Sequence, residues 1–232
     1  MAANFDISVS ESWKNAYPGA HIGLLLVNKV DNTRRSTALD GQKVAVTSRL
    51  RARFAGYGRQ QLQELDVLKA YKNYYKKFNK TYHVQLQLES IILKDRQLPN
   101  VNPLVDANFA AEMESMLLTA GHDADLLVQP VLIDVSRGSE RFVQMNGEEK
   151  TLKENDMMMV DAKGVVCTVI YGQDARTPIS PRTGRALYVT YVPPGIAAET
   201  VNQHLEMIKA NVLLFAPEAE IEYQAVHSAT SA

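Results

Sequence analysis

Residues 98–106 read Leu98-Pro99-Asn100-Val101-Asn102-Pro103-Leu104-Val105-Asp106, with two prolines and two asparagines ahead of a helical pattern. Proline restricts its own φ and pushes the residue before it out of the helical region. Asn102 is therefore expected to be extended, with its amide free to bond neighbouring backbone or a ligand. Pro103 then suits the first turn of a helix, where its missing N–H costs nothing. Leu104, Val105, Phe109, Met113, Met116 and Leu117 follow at close to helical spacing. This pattern predicts a helix that stops at Ala120-Gly121, with His122, Asp123 and Asp125 on the loop beyond it. An asparagine loop and a His-Asp loop would then frame one helix. Two ordinary caps account for the same residues.

Upstream, Ile22 to Val27 reads as a buried strand, an apolar run ending at turn-prone Asn28. Asp40 is placed to cap a helix through Phe54, with Val44, Leu50 and Phe54 inward and Arg49, Arg51 and Arg53 largely outward. Gly56 and Gly58 break it. A second helix carries Leu62, Leu65, Leu68, Tyr71, Tyr75 and Phe78 at intervals of three or four, flanked by Lys69, Lys72, Lys76, Lys77 and Lys80. A third spans about Val84 to Lys94. Downstream the texture changes to short strands at 131–135, 141–145, 157–160, 165–170 and 186–192, with turn signals at Gly138, Asn146-Gly147 and Lys163-Gly164. Residues 172–185 read as a loop, 196–215 as a helix and 221–226 as a last strand. The expected class is α+β: a helix-rich basic part, 1–97, packed as one domain with a mainly antiparallel β part, 98–226, and a frayed tail at 227–232.

The chain has 232 residues, 46% of them hydrophobic, enough for a real core. No apolar run approaches the ~20 residues of a membrane helix, and the N-terminus lacks the basic-then-apolar order of a secretory signal. Cys167 is the single cysteine, which rules out an internal disulfide and a four-thiolate metal site. A cytoplasmic location is expected. Net charge is −1, unevenly spread: residues 1–97 carry 16 Lys+Arg against 8 Asp+Glu, and residues 98–232 carry 9 against 18. Such asymmetry suits an oriented surface that meets phosphates, although solvated helix faces produce it too.

No pair of the five histidines has metal-ligand spacing, so no metal or cofactor is expected. A Gly-x-Ser-x-Gly elbow and a phosphate-binding loop are both missing. Gly56 and Gly58 lack the third glycine and the strand-turn-helix context of a dinucleotide site. Cys167 lies in an apolar strand, the setting of an inert buried thiol. Tyr71, Tyr74 and Tyr75 with their interleaved lysines could stack on bases. An amphipathic helix with a core aromatic face explains Tyr71 and Tyr75 equally well and leaves Tyr74 open. Gly172, after a strongly apolar strand, either ends it in a turn or admits a ligand close to the backbone.

Taken in order, these stretches resemble the tRNA-binding and editing region of the phenylalanyl-tRNA synthetase beta subunit, its B3/B4 domain, and more closely the free-standing proteins made of little else. The matching stretches are Tyr17-Pro18-Gly19 with Ile22-Gly23, Tyr71 to Phe78, Leu98 to Asp106 with Asn108, Asp123-Ala124-Asp125, the hairpins around Gly147 and Gly164, and Tyr171-Gly172. The resemblance implies a three-layer α+β domain containing an unusual β-sandwich. It also implies an aminoacyl-tRNA ester hydrolase that removes a mischarged amino acid in trans, with tRNA as partner. A second site that accepts the wrong product is how limited discrimination is corrected, and a positioned water with a few donors suffices for ester hydrolysis. Carried over residue by residue, the family's pocket aspartate falls on Asp123, its histidine on Ala120, its turn glycine on Gly172 and its glutamate near Val189. His122 falls on the phenylalanine position of the same segment, and the expected site is Asn102 and His122 as catalytic groups with Asp123 and Gly172 as substrate-binding groups. RNA would lie on Arg49, Arg51, Arg53, Lys72, Lys76 and Lys77. A non-catalytic tRNA- or RNA-binding module, and a small-molecule hydrolase or binding protein on the same fold, stand as alternatives.

Overall fold

In the computed structural model, residues 5–229 are described. The elements run β1 (Ile7–Val9), α1 (Glu11–Ala16), β2 (His21–Asn28), α2 (Thr37–Arg53), α3 (Arg59–Gln63), α4 (Asp66–Lys76), α5 (His83–Leu93), α6 (Pro103–Ser115), β3 (Thr119–Asp123), β4 (Val131–Val135), β5 (Arg141–Val143), β6 (Glu149–Thr151), β7 (Met157–Asp161), β8 (Gly164–Thr168), β9 (Gly172–Gln173), β10 (Ala186–Val192), α7 (Ala198–Leu213) and β11 (Glu220–Ser228). One antiparallel sheet has the order β11-β2-β10-β3, and a second has the order β1-β4-β7-β8-β9 with β1 and β4 parallel. β5 and β6 form a separate hairpin.

Side-chain alternation along β2 and β10 builds the layers. Leu24, Leu26, Leu187, Val189 and Tyr191 share one apolar cluster with Ile133, Met159 and Val166 of the second sheet. Leu25, Val27, Ala186 and Tyr188 point the other way, into a cluster with Leu104 and Ala107 of α6 and Leu205 and Ile208 of α7. The result is a helix layer, a sheet and a second sheet, an α+β fold with a sandwich inside. Both β2 and β10 are near-continuous apolar runs because both faces of this sheet are covered. Gly23 lets α7 pack closely on β2: a Cβ there would meet Val201 Cγ1 at 2.7 Å.

α4 plugs the sandwich with tyrosines. The Tyr71 hydroxyl donates to Tyr191 O at 2.7 Å, that of Tyr74 to Asp156 Oδ1 at 2.7 Å and that of Tyr75 to Val169 O at 3.0 Å. Tyr74, left open by the sequence, is thus a core residue with its hydroxyl bound, not a stacking platform. Its neighbour Asp156 has its carboxyl pushed up to about 6 by burial.

Several sequence expectations are corrected. The α6 helix ends at Ser115, where Met116 takes the left-handed conformation (φ 63°), so Ala120 to Asp123 belong to a strand and not to a helix end and loop. The α2 helix is capped by Ser36, whose side chain accepts from Leu39 N, and not by Asp40. That shift of phase buries Lys43 and leaves Val44 59% exposed. The long second helix is two, α3 and α4. β1, α1 and β6 had no strong periodic signal. His227 and Ser228 pair with β2 in β11 and are not frayed. Residues 230–232 of the expected tail lie outside the described residues.

Candidate functional site

The Leu98–Asp106 stretch is a cross-linked support. Asn102 is extended (φ −151°), and its Oδ1 accepts from Val105 N at 3.1 Å, capping α6. The same oxygen accepts from Asn32 Nδ2 at 3.1 Å. Asn32 also donates to Ser180 O at 2.8 Å and accepts from Leu104 N at 2.8 Å. Asp106 accepts from Val101 N at 2.9 Å and pairs with Lys43 Nζ at 2.7 Å. Lys43 Nζ also donates to Pro99 O at 2.6 Å and to Asn100 Oδ1 at 2.5 Å. Every polar group of the stretch named here works inward. Val101 and Val105, held by these bonds, face a cavity.

That cavity has a volume of about 360 Å³ and lies where the edge strand β3 of one sheet meets the edge strand β9 of the other, beneath α6. Its walls include Val101, Val105, Asn108 and Phe109 from α6 and its leading loop, Thr119 to Gly121 from β3, Cys167 and Thr168 from β8, and Gly172 and Gln173 from β9. Met145, at the tip of the β5–β6 hairpin, and His83, at the start of α5, complete the rim. The three sequence segments singled out above do meet here, but mostly through neighbours of the residues expected.

The polar edge of β3 is directed away from β10. Thr119 N donates to Glu112 Oε1 at 3.1 Å, and Thr119 O accepts from Asn108 Nδ2 at 3.1 Å. Gly121 O accepts from Gln173 Nε2 at 2.9 Å, and Asp123 N donates to Thr177 O at 2.9 Å. These groups sit two residues apart, so the Gly121 N–H shares their edge and meets the cavity. A Cβ at Gly121 would stand 2.8 Å from Ile179 Cδ1, so any larger residue here would push the end of that side chain.

Of the four expected pocket residues, Gly172 alone lines the cavity, with the positive φ of +80° that favours glycine. His122 faces into the sandwich, fully buried, and lies behind the wall. Its Nδ1 is 2.9 Å from Thr177 Oγ1 and 3.0 Å from Gln173 Nε2. Gln173 Nε2 already donates to Gly121 O and Thr177 O, and Thr177 Oγ1 donates to Asp174 Oδ1 at 2.7 Å. The Nδ1 proton of His122 therefore completes the chain, and burial holds its imidazole neutral, with its pKa lowered to about 3. Asp123 is also buried. Its Oδ2 accepts from Thr183 Oγ1 at 2.6 Å and its Oδ1 from Asp125 N at 3.1 Å. Asn102 is part of the support described above.

Sequence reasoning missed Asn108, Thr119, Gly121 and Gln173. The signal for Asn108 was its helical position, two residues past Asp106, and no loop marked it. Thr119 is held from behind by His204 of α7, whose Nε2 is 2.7 Å from Thr119 Oγ1 and whose Nδ1 is 2.8 Å from Ser115 Oγ. Burial lowers the pKa of His204 to about 3. It raises that of the buried Glu112 carboxyl to about 8 and that of the Cys167 thiol to about 12.

Of the six residues expected to meet RNA, two make ion pairs within the chain. Arg49 binds Glu114 through two nitrogens, at 3.1 and 2.6 Å. Arg51 pairs with Asp95 at 2.9 Å and donates to the carbonyls of Ile91 and Arg96. Arg53 lies over the Phe54 ring and Lys77 over the Tyr17 ring. Lys72 and Lys76 are exposed and line a cleft with Arg59, Lys80 and Tyr82. Tyr82 of this cleft and His83 of the cavity rim are consecutive, and Lys80 lies over the ring of Tyr171, next to Gly172.

A family model, the B3/4 domain, matches residues 67–209. The chain belongs to the B3/4 domain family. The matched segment of this B3/4 domain contains α4, α5, α6, both sheet edges and the cavity between them. No curated protein matches it. Among solved structures it is similar to an N-terminal fragment of the phenylalanyl-tRNA synthetase beta subunit from Pyrococcus horikoshii, at 11% identity and a TM-score of 0.49. That match covers 97% of this chain and 54% of the fragment, so the B3/4 domain described here spans about half of the fragment's length. Among the described residues, no helix is long and apolar enough to cross a membrane and no cluster of His, Cys, Asp or Glu is arranged to hold a metal.

Proposed function

We propose that this B3/4 domain takes the aminoacyl end of a tRNA into the cavity between β3 and β9 and hydrolyses the ester of a mischarged amino acid, acting in trans in the cytoplasm. The observation that carries this reading is the cavity itself. Its volume of about 360 Å³ falls in the range of small-ligand sites, roughly 300–1,000 Å³. Its walls are mostly apolar, and a strand edge supplies convergent polar groups. The basic cleft of Arg59, Lys72, Lys76 and Lys80 begins one residue from its rim, where phosphates leading to the ester would lie. We read residues 1–97 and 98–226 as parts of one domain for this purpose, since β2 from the first pairs with β10 and β11 from the second.

The chemistry proposed is water positioning. The Cys167 thiol, pushed up to about 12, stays protonated. No lining residue is a carboxylate. The Gly121 N–H is placed as a donor to a carbonyl oxygen that gains charge in the transition state. Thr119 and Thr168 can hold a water beside it, and the Gln173 carboxamide, bound to Gly121 O and Thr177 O, fixes the strand edge. The lack of a carboxylate in the cavity favours a second reading, a B3/4 domain that binds charged tRNA without cleaving it.

The deciding measurement is deacylation of a panel of mischarged tRNAs by the purified protein. Release of at least one amino acid is expected, and release should be lost in Val105→Trp, which fills the cavity from α6. If no tRNA in a complete panel is deacylated, hydrolysis is wrong. Salt-sensitive tRNA binding that persists then selects the second reading.

A further inference from the structure

His83 is the first residue of α5 and stands at the cavity rim, with its ring set between two tyrosines. The Tyr75 and Tyr82 rings lie 6.4 and 5.9 Å from it, centroid to centroid, at interplanar angles of 63° and 66°. His83 Nδ1 is 3.4 Å from the Tyr75 hydroxyl, a long hydrogen bond. That hydroxyl already donates to Val169 O at 3.0 Å, so it accepts at this contact and the imidazole proton belongs on Nδ1. Nε2 then carries the free lone pair, and it has no partner among the described residues. Val169 itself lines the cavity and follows Thr168, so the imidazole is tied to the wall assigned above to the water. Of the residues that line the cavity, only His83 exchanges a proton near neutral pH. Cys167 of β8 and Tyr188 and Tyr191 of β10 also titrate, but burial raises the pKa of all three. Burial does the same to Tyr75 and Tyr82, which pack on the imidazole. No carboxylate, lysine or arginine lines the cavity; Lys80 and the other cations of the basic cleft stand on the Tyr82 side. Burial lowers the pKa of His83 from its ordinary 6.5, and its place at the positive end of α5 acts in the same direction. The imidazole is therefore neutral at pH 7, the form that takes up a proton.

We infer that His83 is the general base of this site and draws a proton from the attacking water through Nε2. This rests on the hydrolytic reading proposed above. In that reading the amino acid lies inside the cavity and the nucleotide outside it. The ester that joins them crosses the rim, where His83 stands. As the water oxygen bonds to the ester carbon, a water proton passes to Nε2, and the carbonyl oxygen gains the negative charge that the Gly121 N–H stabilises. When the bond from that carbon to the ribose oxygen breaks, the imidazolium returns the proton to the ribose oxygen. The products are the free amino acid and a tRNA with its terminal hydroxyl restored, and no further reactant is needed.

The test is single-turnover deacylation by the full chain at saturating protein, with a mischarged tRNA that the wild-type protein cleaves. His83→Ala and His83→Gln are expected to slow the reaction about 10²–10⁴-fold. Binding of the same tRNA with an amide in place of the ester should stay within about threefold of wild type, since the loss falls on the chemical step. The wild-type rate should rise with pH through one group that titrates below 6.5 and then level off, and His83→Ala should lack that rise. Added imidazole should restore part of the His83→Ala rate, beyond its effect on the ester without protein. A residue that only shapes the rim gives no such recovery. If His83→Ala fails to fold, His83→Gln, which keeps a side chain of similar length, carries the rate, binding and pH comparisons. Wild-type rates in the variants, an unchanged pH rise, or a rate loss matched by an equal loss of binding would each overturn the inference. The hydrolytic reading is decided separately. A protein that deacylates at full speed without His83 keeps the function and loses this base, whereas one that deacylates no tRNA in the panel loses both.

Discussion

Replacing Lys43 by alanine should destabilise this protein severely, although Lys43 lies outside the cavity. Its side chain is 5% exposed and its partner Asp106 is 9% exposed. The ammonium has three partners, at 2.5 to 2.7 Å: Asp106 Oδ2, Pro99 O and Asn100 Oδ1. Removing it leaves a buried carboxylate whose Oδ1 is still held by Val101 N, together with two acceptors that lose their donor. Breaking one side of a buried ion pair costs about 3–5 kcal/mol, a large share of the ~5–15 kcal/mol of a typical domain. The double variant Lys43→Met, Asp106→Leu removes both charges and should be markedly less damaging than the sum of the single changes, because no uncompensated charge remains. Urea unfolding at neutral pH, followed by circular dichroism, reads both quantities. A loss below about 1 kcal/mol for Lys43→Ala, the size of a surface pair, would refute the argument, as would strict additivity in the double variant.

Glu112, raised to about 8 from its ordinary 4.5, should contribute a loss of stability as pH rises from 6.5 to 8, because it holds a proton in the folded state that the unfolded chain has lost. His122 and His204, lowered from 6.5 to about 3, are neutral when folded and partly protonated in the unfolded chain near pH 6.5, so they oppose this loss at the lower end of the window and cease to by its upper end. The Glu112 contribution approaches about 1.4 kcal/mol per pH unit and is read as the difference in pH dependence between the wild-type protein and Glu112→Gln in urea unfolding; the same pH dependence in both would contradict this. Changing Lys72 and Lys76 together to glutamate should weaken tRNA binding and reduce its dependence on salt, whereas Arg49→Glu should act mainly on stability through loss of its pair with Glu114. Filter-binding titrations at several salt concentrations distinguish these, and an unchanged salt slope in the double lysine variant rules the cleft out. Cys167→Ala should leave deacylation within about threefold of wild type, since a protonated, buried thiol is no nucleophile; trapping of an acyl group on Cys167 would show otherwise.

Much of the fold was legible because its signals are local. The runs at 22–27 and 186–192 are apolar at nearly every position, as strands covered on both faces must be. Lys163-Gly164 marks the β7–β8 hairpin, where Asp161 pairs with Gly164. The α4 tyrosines announce an aromatic face by their spacing. What was not legible depends on long-range pairing. The run from Met113 to Leu117 continues in apolar residues, so periodicity carried the helix forward. The chain instead turns at Met116, because Thr119 to Thr190 and the four pairs after it form a strand ladder with β10. One strand in place of a helix end reverses the reading of His122: alternation sends it into the sandwich and leaves Gly121 at the cavity.

The same reasoning explains why the most conspicuous motif supplies support and not chemistry. A stretch rich in proline and asparagine draws attention because its polar atoms look available, yet in this fold they have nearby claimants. α6 begins at Pro103, so the first-turn N–H groups need acceptors, and Asn102 and Asn32 provide them for Val105 and Leu104. The loop ahead of the helix is tied down by Lys43, which donates to Pro99 O and Asn100 Oδ1. With these needs met, the segment is fixed and its hydrocarbon members, Val101 and Val105, can form a cavity wall. Asn108 is the first polar residue of α6 whose bonding is left incomplete. Its Nδ2 reaches β3 and its Oδ1 reaches no other group of the described chain. Its geometry is set by the frame around it, and through it α6 is held to the strand whose edge lines the cavity.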